Sequence, residues 1–148
     1  MGSTSHVYQV FIHTTPEELW AALTRPEETA KYYYGTSLHA DLRAGAPLTY
    51  TYPDGTLAAD GKVLEVAPNR KLVMEFNPVW DDAVRPEAPV RMTWEILPAG
   101  EICKLVVTTD DLVPGSATES QFEGGVAYIS SGLKSVLETG RGLPAPAG

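Results

Sequence analysis

Residues 90–140 read VRMTWEILPAGEICKLVVTTDDLVPGSATESQFEGGVAYISSGLKSVLETG, and the fold turns on a change of period inside that stretch. Val90, Met92, Trp94 and Ile96 alternate with Arg91, Thr93 and Glu95, the two-residue repeat of a strand with one dry face. Pro98-Ala99-Gly100 turns the chain, and Cys103, Leu105 and Val107 make the same kind of face on the way back. Asp110 to Gly115 reads as a loop. Ser116 and Glu119 then have capping-box spacing, and Phe122, Val126, Ile129, Leu133 and Leu137 follow at intervals of 4, 3, 4 and 4, one stripe of an α-helix. Gly140 and Gly142 stand where a helix stops.

Upstream, the same two-residue period recurs. Val7 to His13 is rich in β-formers and reads as a first strand, ended by Thr14-Thr15-Pro16-Glu17-Glu18. Thr15 with Glu18, and Pro16 at the first helical position, open a helix through Thr24; Thr24 with Glu27 and Pro26 open a second, short one. Strand patterns resume at Ser37. Pro53-Asp54-Gly55 and Pro68-Asn69 are turns between them, and Asn77 to Pro89, with three prolines and two aspartates, is a long loop. The expected order is strand, two short helices, about six strands, then one long helix. Strands in a run with helices set apart mean α+β. The expectation is a curved antiparallel sheet of about six to seven strands gripping the C-terminal helix, with the junction of first and last strands the one place left open to parallel pairing. Residues 1–143 are expected to form one domain and 144–148 a disordered tail.

Composition narrows the function. The formal charge of −8 is spread along 148 residues, which argues against nucleic acid and anionic membrane as partners. No run is long and apolar enough for a membrane span, and no signal peptide is read, so the expected setting is cytoplasmic. Cys103 is the only cysteine, so no intrachain disulfide can form. His6, His13 and His39 lack metal-ligand spacing, and no nucleotide, phosphate or nucleophile-elbow motif is present, so neither metal nor cofactor is expected. Cys103, mid-strand among apolar residues, reads as an inert core thiol.

Four stretches in order carry a resemblance: TTPEELWAALTRPEETAKYY (14–33), Asp54-Gly55, GKVLEVAPNRKLVMEF (61–76) and ESQFEGGVAYISSGLKSVLETG (119–140). They resemble the helix-grip (SRPBCC) superfamily of START lipid-transfer domains, birch-pollen-allergen-like proteins and polyketide cyclases. Within it they are most similar to the family of the activator of heat-shock-protein-90 ATPase. The resemblance implies a hollow between sheet and long helix. This chain departs from the pattern of such bacterial domains at Val126, where a tryptophan usually stands, and at the tyrosines ending the second helix. The eukaryotic activators join this domain to a separate N-terminal one, and this chain also lacks an Asn-Asn-Trp-His-Trp stretch, so stimulation of the chaperone's ATPase is not expected.

The residues expected to border the hollow are Tyr50, Met74, Phe76, Met92 and Trp94 from strands, with Phe122, Ile129 and Leu133 from the helix. Each has plain core packing as its alternative. Tyr32, Tyr33 and Tyr34 either place hydroxyls at the mouth or leave one ring packed and the others half exposed. Trp80, in the long loop, is a lid or an anchor. Gly124, Gly125 and Gly132 each cost about 1 kcal/mol inside a helix, so close packing, a bend or ligand space must compensate. Asp60 or Glu65, if turned inward, would be an acid or base; on the surface, a solvated or salt-bridged group. No catalytic residue is named. The expected partner is a small hydrophobic or amphipathic molecule, carried or sensed, with a cyclase-like or hydrolase-like enzyme or a chaperone cofactor as alternatives. The sheet edges leave room for a homodimer, which nothing in the sequence specifies.

Overall fold

The alternating stretches pair into one sheet, and the 3.6-period stretch lies across its concave face. The computed structural model describes residues 3–144, so the tail expected over 144–148 falls, apart from Pro144, outside the described residues. The elements are β1 (Thr4–Ile12), α1 (Pro16–Thr24), α2 (Pro26–Thr29), β2 (Ser37–Ala40), β3 (Pro47–Thr51), β4 (Leu57–Ala67), β5 (Lys71–Pro78), β6 (Val90–Ala99), β7 (Ile102–Leu112) and α3 (Ala117–Thr139). The strand order is β1-β7-β6-β5-β4-β3-β2. Every neighbouring pair is antiparallel, including β1 with β7, the junction that the sequence left open. The fold is α+β, as expected.

The sheet curves because its ladders are interrupted. Register shifts fall at Thr4/His6, Tyr50/Thr51 and Val63/Glu65, and a bulge of this kind bends its strand. Gly61 lets β4 press onto β5: a Cβ there would run into the carbonyl oxygen of Glu75. On the concave face Val90, Met92, Trp94 and Ile96 of β6 are buried beside Cys103, Leu105 and Val107 of β7. Burying a Leu or Val fully is worth about 1.5–3 kcal/mol, so this alternation sets the register.

The two long ends of the fold are capped as the spacing predicts, with differences in detail. Thr15 Oγ1 accepts from the Glu18 N–H (3.2 Å) and Ser116 Oγ from the Glu119 N–H (3.1 Å). Gly140 ends α3 in the left-handed conformation, φ 83°. The box expected at Thr24 and Glu27 does not form. Arg25 is the N-cap of α2 and makes no side-chain cap bond; Thr24 Oγ1 instead bonds back to the Trp20 carbonyl (2.8 Å), as a threonine near a helix end can. β7 runs on through Asp110 and Asp111 to Leu112, where a loop was expected. Asp110 is satisfied from both neighbouring strands, by the Ser5 hydroxyl (2.5 Å) and the Arg91 guanidinium (3.1 Å), which makes an aspartate tolerable in a strand there. At the other end, Tyr128 donates to the Pro144 carbonyl (3.1 Å), so the chain after α3 turns back along it.

α3 is held at both ends. Lys134 Nζ donates to the Phe11 carbonyl (2.5 Å), and Glu138 accepts from the His13 N–H (2.8 Å), tying its last turns to the end of β1. Its first turn meets the loop 79–89. Glu87 there accepts from the backbone N–H of Thr118 (2.7 Å) and Ala117 (3.2 Å) and from the Thr118 hydroxyl (2.6 Å). A carboxylate on those free N–H groups is the favourable pairing at a helix start. Val84, fully buried, plugs the loop into the body.

Candidate functional site

The middle of α3 stands away from the sheet and leaves a hollow of about 270 Å³. Its floor is Tyr50, Phe76 and Met92; its roof is Phe122, Gly125, Val126 and Ile129; Tyr33, Tyr34 and Trp80 close its sides. Rings dominate. Tyr33 and Tyr50 stack at 4.5 Å, Phe76 meets Phe122 edge-on at 5.7 Å, and Trp80 stacks on Phe122 at 5.9 Å. Gly125 faces open space, the nearest side-chain atom to a Cβ there being the Tyr34 hydroxyl at 3.7 Å.

Of the eight residues expected around a hollow, Tyr50, Phe76, Met92, Phe122 and Ile129 border this one. Met74, Trp94 and Leu133 do not. Met74 and Trp94 lie on the far side of the Tyr33–Tyr50 pair, around a narrow space that they share with Leu23, Tyr32 and Leu72 and that has no room for a water molecule. Leu133 is fully buried in the core. Alternation puts all of these side chains on the concave face; what stands opposite each one decides whether it meets space or another side chain. The tyrosines divide three ways. Tyr32 is packed, its hydroxyl donating to the Ala22 carbonyl (2.7 Å); Tyr33 is a buried wall; Tyr34 is half exposed at the mouth. Tyr34 itself sits at φ 53°, in a tight turn completed by Gly35 at φ 75°.

Trp80 is an anchored wall. Its Nε1–H donates to Gln121 Oε1 (2.6 Å), and Gln121 Nε2 donates to Asp81 (3.1 Å), so the loop and α3 are tied beside the rings. Gln121 carried no signal in the sequence: a single polar residue beside an apolar stripe is what any half-exposed helix shows. Gly132 has the opposite role to Gly125. A Cβ on it would stand 3.2 Å from Tyr32 Cβ, so glycine there is what lets the Tyr32 turn approach the helix.

Chemically the hollow is bare. No carboxylate, histidine, lysine or thiol borders it. Asp60 turns away and accepts from Asn77 (3.1 Å), and Glu65 is on the surface, 3.6 Å from Lys71. Burial pushes the Tyr33 and Tyr50 phenols well above their ordinary 10.0, so both stay neutral near pH 7 and can donate or accept a hydrogen bond without serving as bases. Cys103 is buried, its Sγ donating to the Thr14 carbonyl (3.5 Å), and burial raises its thiol pKa, which is the setting of an unreactive cysteine. Among the described residues no group of three His, Cys, Asp or Glu side chains is placed to hold a metal ion, and no helix is long and apolar enough to cross a membrane.

Residues 13–138 match the family described as Activator of Hsp90 ATPase homolog 1-like protein. The chain belongs to that family. No curated protein matches the sequence. Among solved structures it is similar to the Aha1 dimer from Colwellia psychrerythraea, with 16% identity, a TM-score of 0.76, and coverage of 94% of this chain and 99% of that one. A protein of Mesorhizobium loti is 21% identical at TM-score 0.77, over 91% and 97% of the two chains. An HSP90 activator from Plasmodium falciparum is 16% identical at TM-score 0.69, over 86% and 91%. At such identities the shared property is the helix-grip fold, and function has to be argued from the site. Within the Activator of Hsp90 ATPase homolog 1-like frame, Val126 borders the hollow where the resemblance led one to look for tryptophan. A valine there leaves room that an indole would occupy.

Proposed function

We propose that this protein binds a small hydrophobic or amphipathic molecule in the hollow between sheet and α3, as a carrier or sensor. The observation that carries the reading is the lining: seven aromatic side chains and a methionine, with hydroxyls, the Gln121 amide and the Trp80 indole N–H that it pairs as the polar groups. Such walls bind by burying apolar area, about 25 cal/mol per Å² before the costs of association. An enzyme would need a base, or a nucleophile beside one, converging on the space, and four tyrosine phenols and the Thr36 hydroxyl with no carboxylate, histidine or lysine beside them in the lining do not supply it. The family name and the Plasmodium relative keep a chaperone role in view; the reading here expects no rise in ATP turnover when the protein is added to its own host's Hsp90. A homodimer is carried over as a proposal from the Colwellia relative, to be checked by light scattering. A reducing, cytoplasmic setting is proposed on the lone buried thiol of Cys103.

The test is unbiased mass spectrometry of small molecules released from the purified protein, followed by titration of the identified class against tryptophan emission. Trp80 borders the hollow and should report a guest directly. Co-purification of an apolar molecule that re-binds the emptied protein supports the reading. Failure of fatty acids, flavonoids and small aromatics alike to bind or to raise Tm would end it.

A further inference from the structure

Behind the Tyr33–Tyr50 wall of the hollow lies a polar group without a partner. Trp94 is 2% exposed, and its Nε1–H makes no hydrogen bond. Tryptophan buried in a core normally pairs that N–H, and a native exception calls for a reason. Water does not supply one, because the narrow space bordered by Trp94, Met74 and Leu72 is too small for it. Leu72 and Val107 flank Trp94 on the neighbouring strands and offer no side-chain acceptor.

That narrow space and the main hollow share two walls, Tyr33 and Tyr50. Tyr50 is fixed in β3. Tyr33 belongs to the turn after α2, directly before two consecutive left-handed residues, and its backbone is tied to Thr29 and Thr36. Its ring, unlike that of Tyr32, which is pinned by its hydroxyl to Ala22, is held against its neighbours by stacking on Tyr50 at 4.5 Å, 6.4 Å from the Trp94 ring. Stacked rings slide or turn at small cost compared with breaking a strand. Turning Tyr33 would join the two spaces and bring a guest to the indole.

We propose that Tyr33 is a movable partition, and that the ligand is an uncharged aromatic molecule of about two rings whose carbonyl, or similar acceptor, reaches past it to take the Trp94 N–H. The size follows from volume: a cavity of about 150 Å³ holds one benzene, and the hollow here is about 270 Å³. Neutrality follows from the absence of any charged side chain on its walls. The inference rests on the ligand-binding reading and adds the polarity and orientation of the guest.

The probes are 1-indanone and indane, the same fused bicycle with and without a carbonyl. Calorimetry gives their affinities for the wild type, Trp94→Phe and Tyr33→Ala. Proton–nitrogen correlation spectra give the indole N–H signals of Trp20, Trp80 and Trp94, with Trp94→Phe identifying the third and the other two showing that the variant is folded. The wild type should prefer indanone, and the Trp94 N–H signal should move downfield with indanone only. Trp94→Phe should cut the indanone preference by roughly three- to tenfold, the worth of one hydrogen bond. Tyr33→Ala should bind indanone at least as tightly as the wild type. Equal affinities in the wild type, an unmoved Trp94 signal, or loss of indanone binding in Tyr33→Ala would each overturn the proposal while leaving ligand binding intact. If neither compound binds, the proposal is overturned; the ligand-binding reading falls only when fatty acids and flavonoids fail as well.

Discussion

The two halves of the interior start from the same sequence pattern and end differently. In one half Leu72, Met74 and Trp94 point inward and meet Leu23 and Tyr32 of the α1–α2 region, leaving no space for water. In the other, Phe76 and Met92 point inward from the same strands; Phe122 meets Phe76 edge-on, and beyond that contact Gly125 and Ile129 border the hollow. α3 meets the first through Tyr32 and covers the second directly, and its glycines serve the two in opposite ways. Gly132 is small so that Tyr32 can come close; Gly125 is small where nothing comes closer than a tyrosine hydroxyl. The lesson is that a residue's place on the dry face says that it is removed from water, and the opposing element decides whether it is packed or left beside a void.

The comparison breaks most visibly at Leu133. Because it is fully buried and does not border the hollow, Leu133→Ala should lower unfolding free energy by about 2–5 kcal/mol in urea titrations, with no change in ligand affinity beyond what partial unfolding causes. A loss under about 1 kcal/mol would mean that the site collapses easily and that the packed half is looser than described. Next in size is Gly132→Val. Its added volume meets Tyr32, so it should destabilise by about 1–3 kcal/mol and lower Tm, although glycine is the poorer helix former.

The same kind of change at Gly125, which borders the hollow, and at its exposed neighbour Gly124 should have the reverse sign. Gly124→Ala has no atom within 4 Å to strike, and Gly125→Ala makes only an ordinary 3.7 Å contact with the Tyr34 hydroxyl, so each should stabilise by up to about 1 kcal/mol. Gly125→Leu should leave stability near that of the wild type while weakening any guest, measured by tryptophan titration. Strong destabilisation by either alanine would erase the distinction between the two glycine sites.

The smallest effect concerns Glu87, which ties the loop 79–89 to the first turn of α3. The Thr118 hydroxyl and backbone N–H keep the Glu87 carboxyl below its ordinary value of 4.5. A lowered native pKa means that the stabilisation is complete above that value and lost as pH falls through the native one. Glu87→Gln should therefore be less stable than the wild type at pH 7, and the two should converge as the solution is acidified. A gap that persists unchanged to pH 2 would show that charge is not what Glu87 contributes.

The order of elements was legible from the repeats alone, because burial enforces a two-residue period in strands and a 3.6-residue period in helices. Misreadings came where a tertiary partner outweighed a local signal. Asp110 looks like a loop residue until Ser5 and Arg91 satisfy it from two strands, and Thr24 looks like a cap until its hydroxyl finds the Trp20 carbonyl. Around the hollow, Tyr50, Phe76 and Phe122 could be singled out by face; Tyr33 could be named only as one of three candidate tyrosines, and Gln121 not at all. Their roles depend on a turn and a loop brought against α3 from distant parts of the chain.

By itself the sequence determined which side chains leave water, since apolar periodicity is a property of the chain and needs no partner to be read. It also determined the antiparallel grouping, apart from the junction of β1 with β7, and the long covering helix. Whether α3 lies flush on the sheet or stands off it was decided only in three dimensions. The Tyr32 turn presses against Gly132 at one end, Glu87 and Gln121 hold the other through the loop 79–89, and the helix between those supports spans the sheet's curvature. A void is the difference between two surfaces, and no single stretch of residues encodes both.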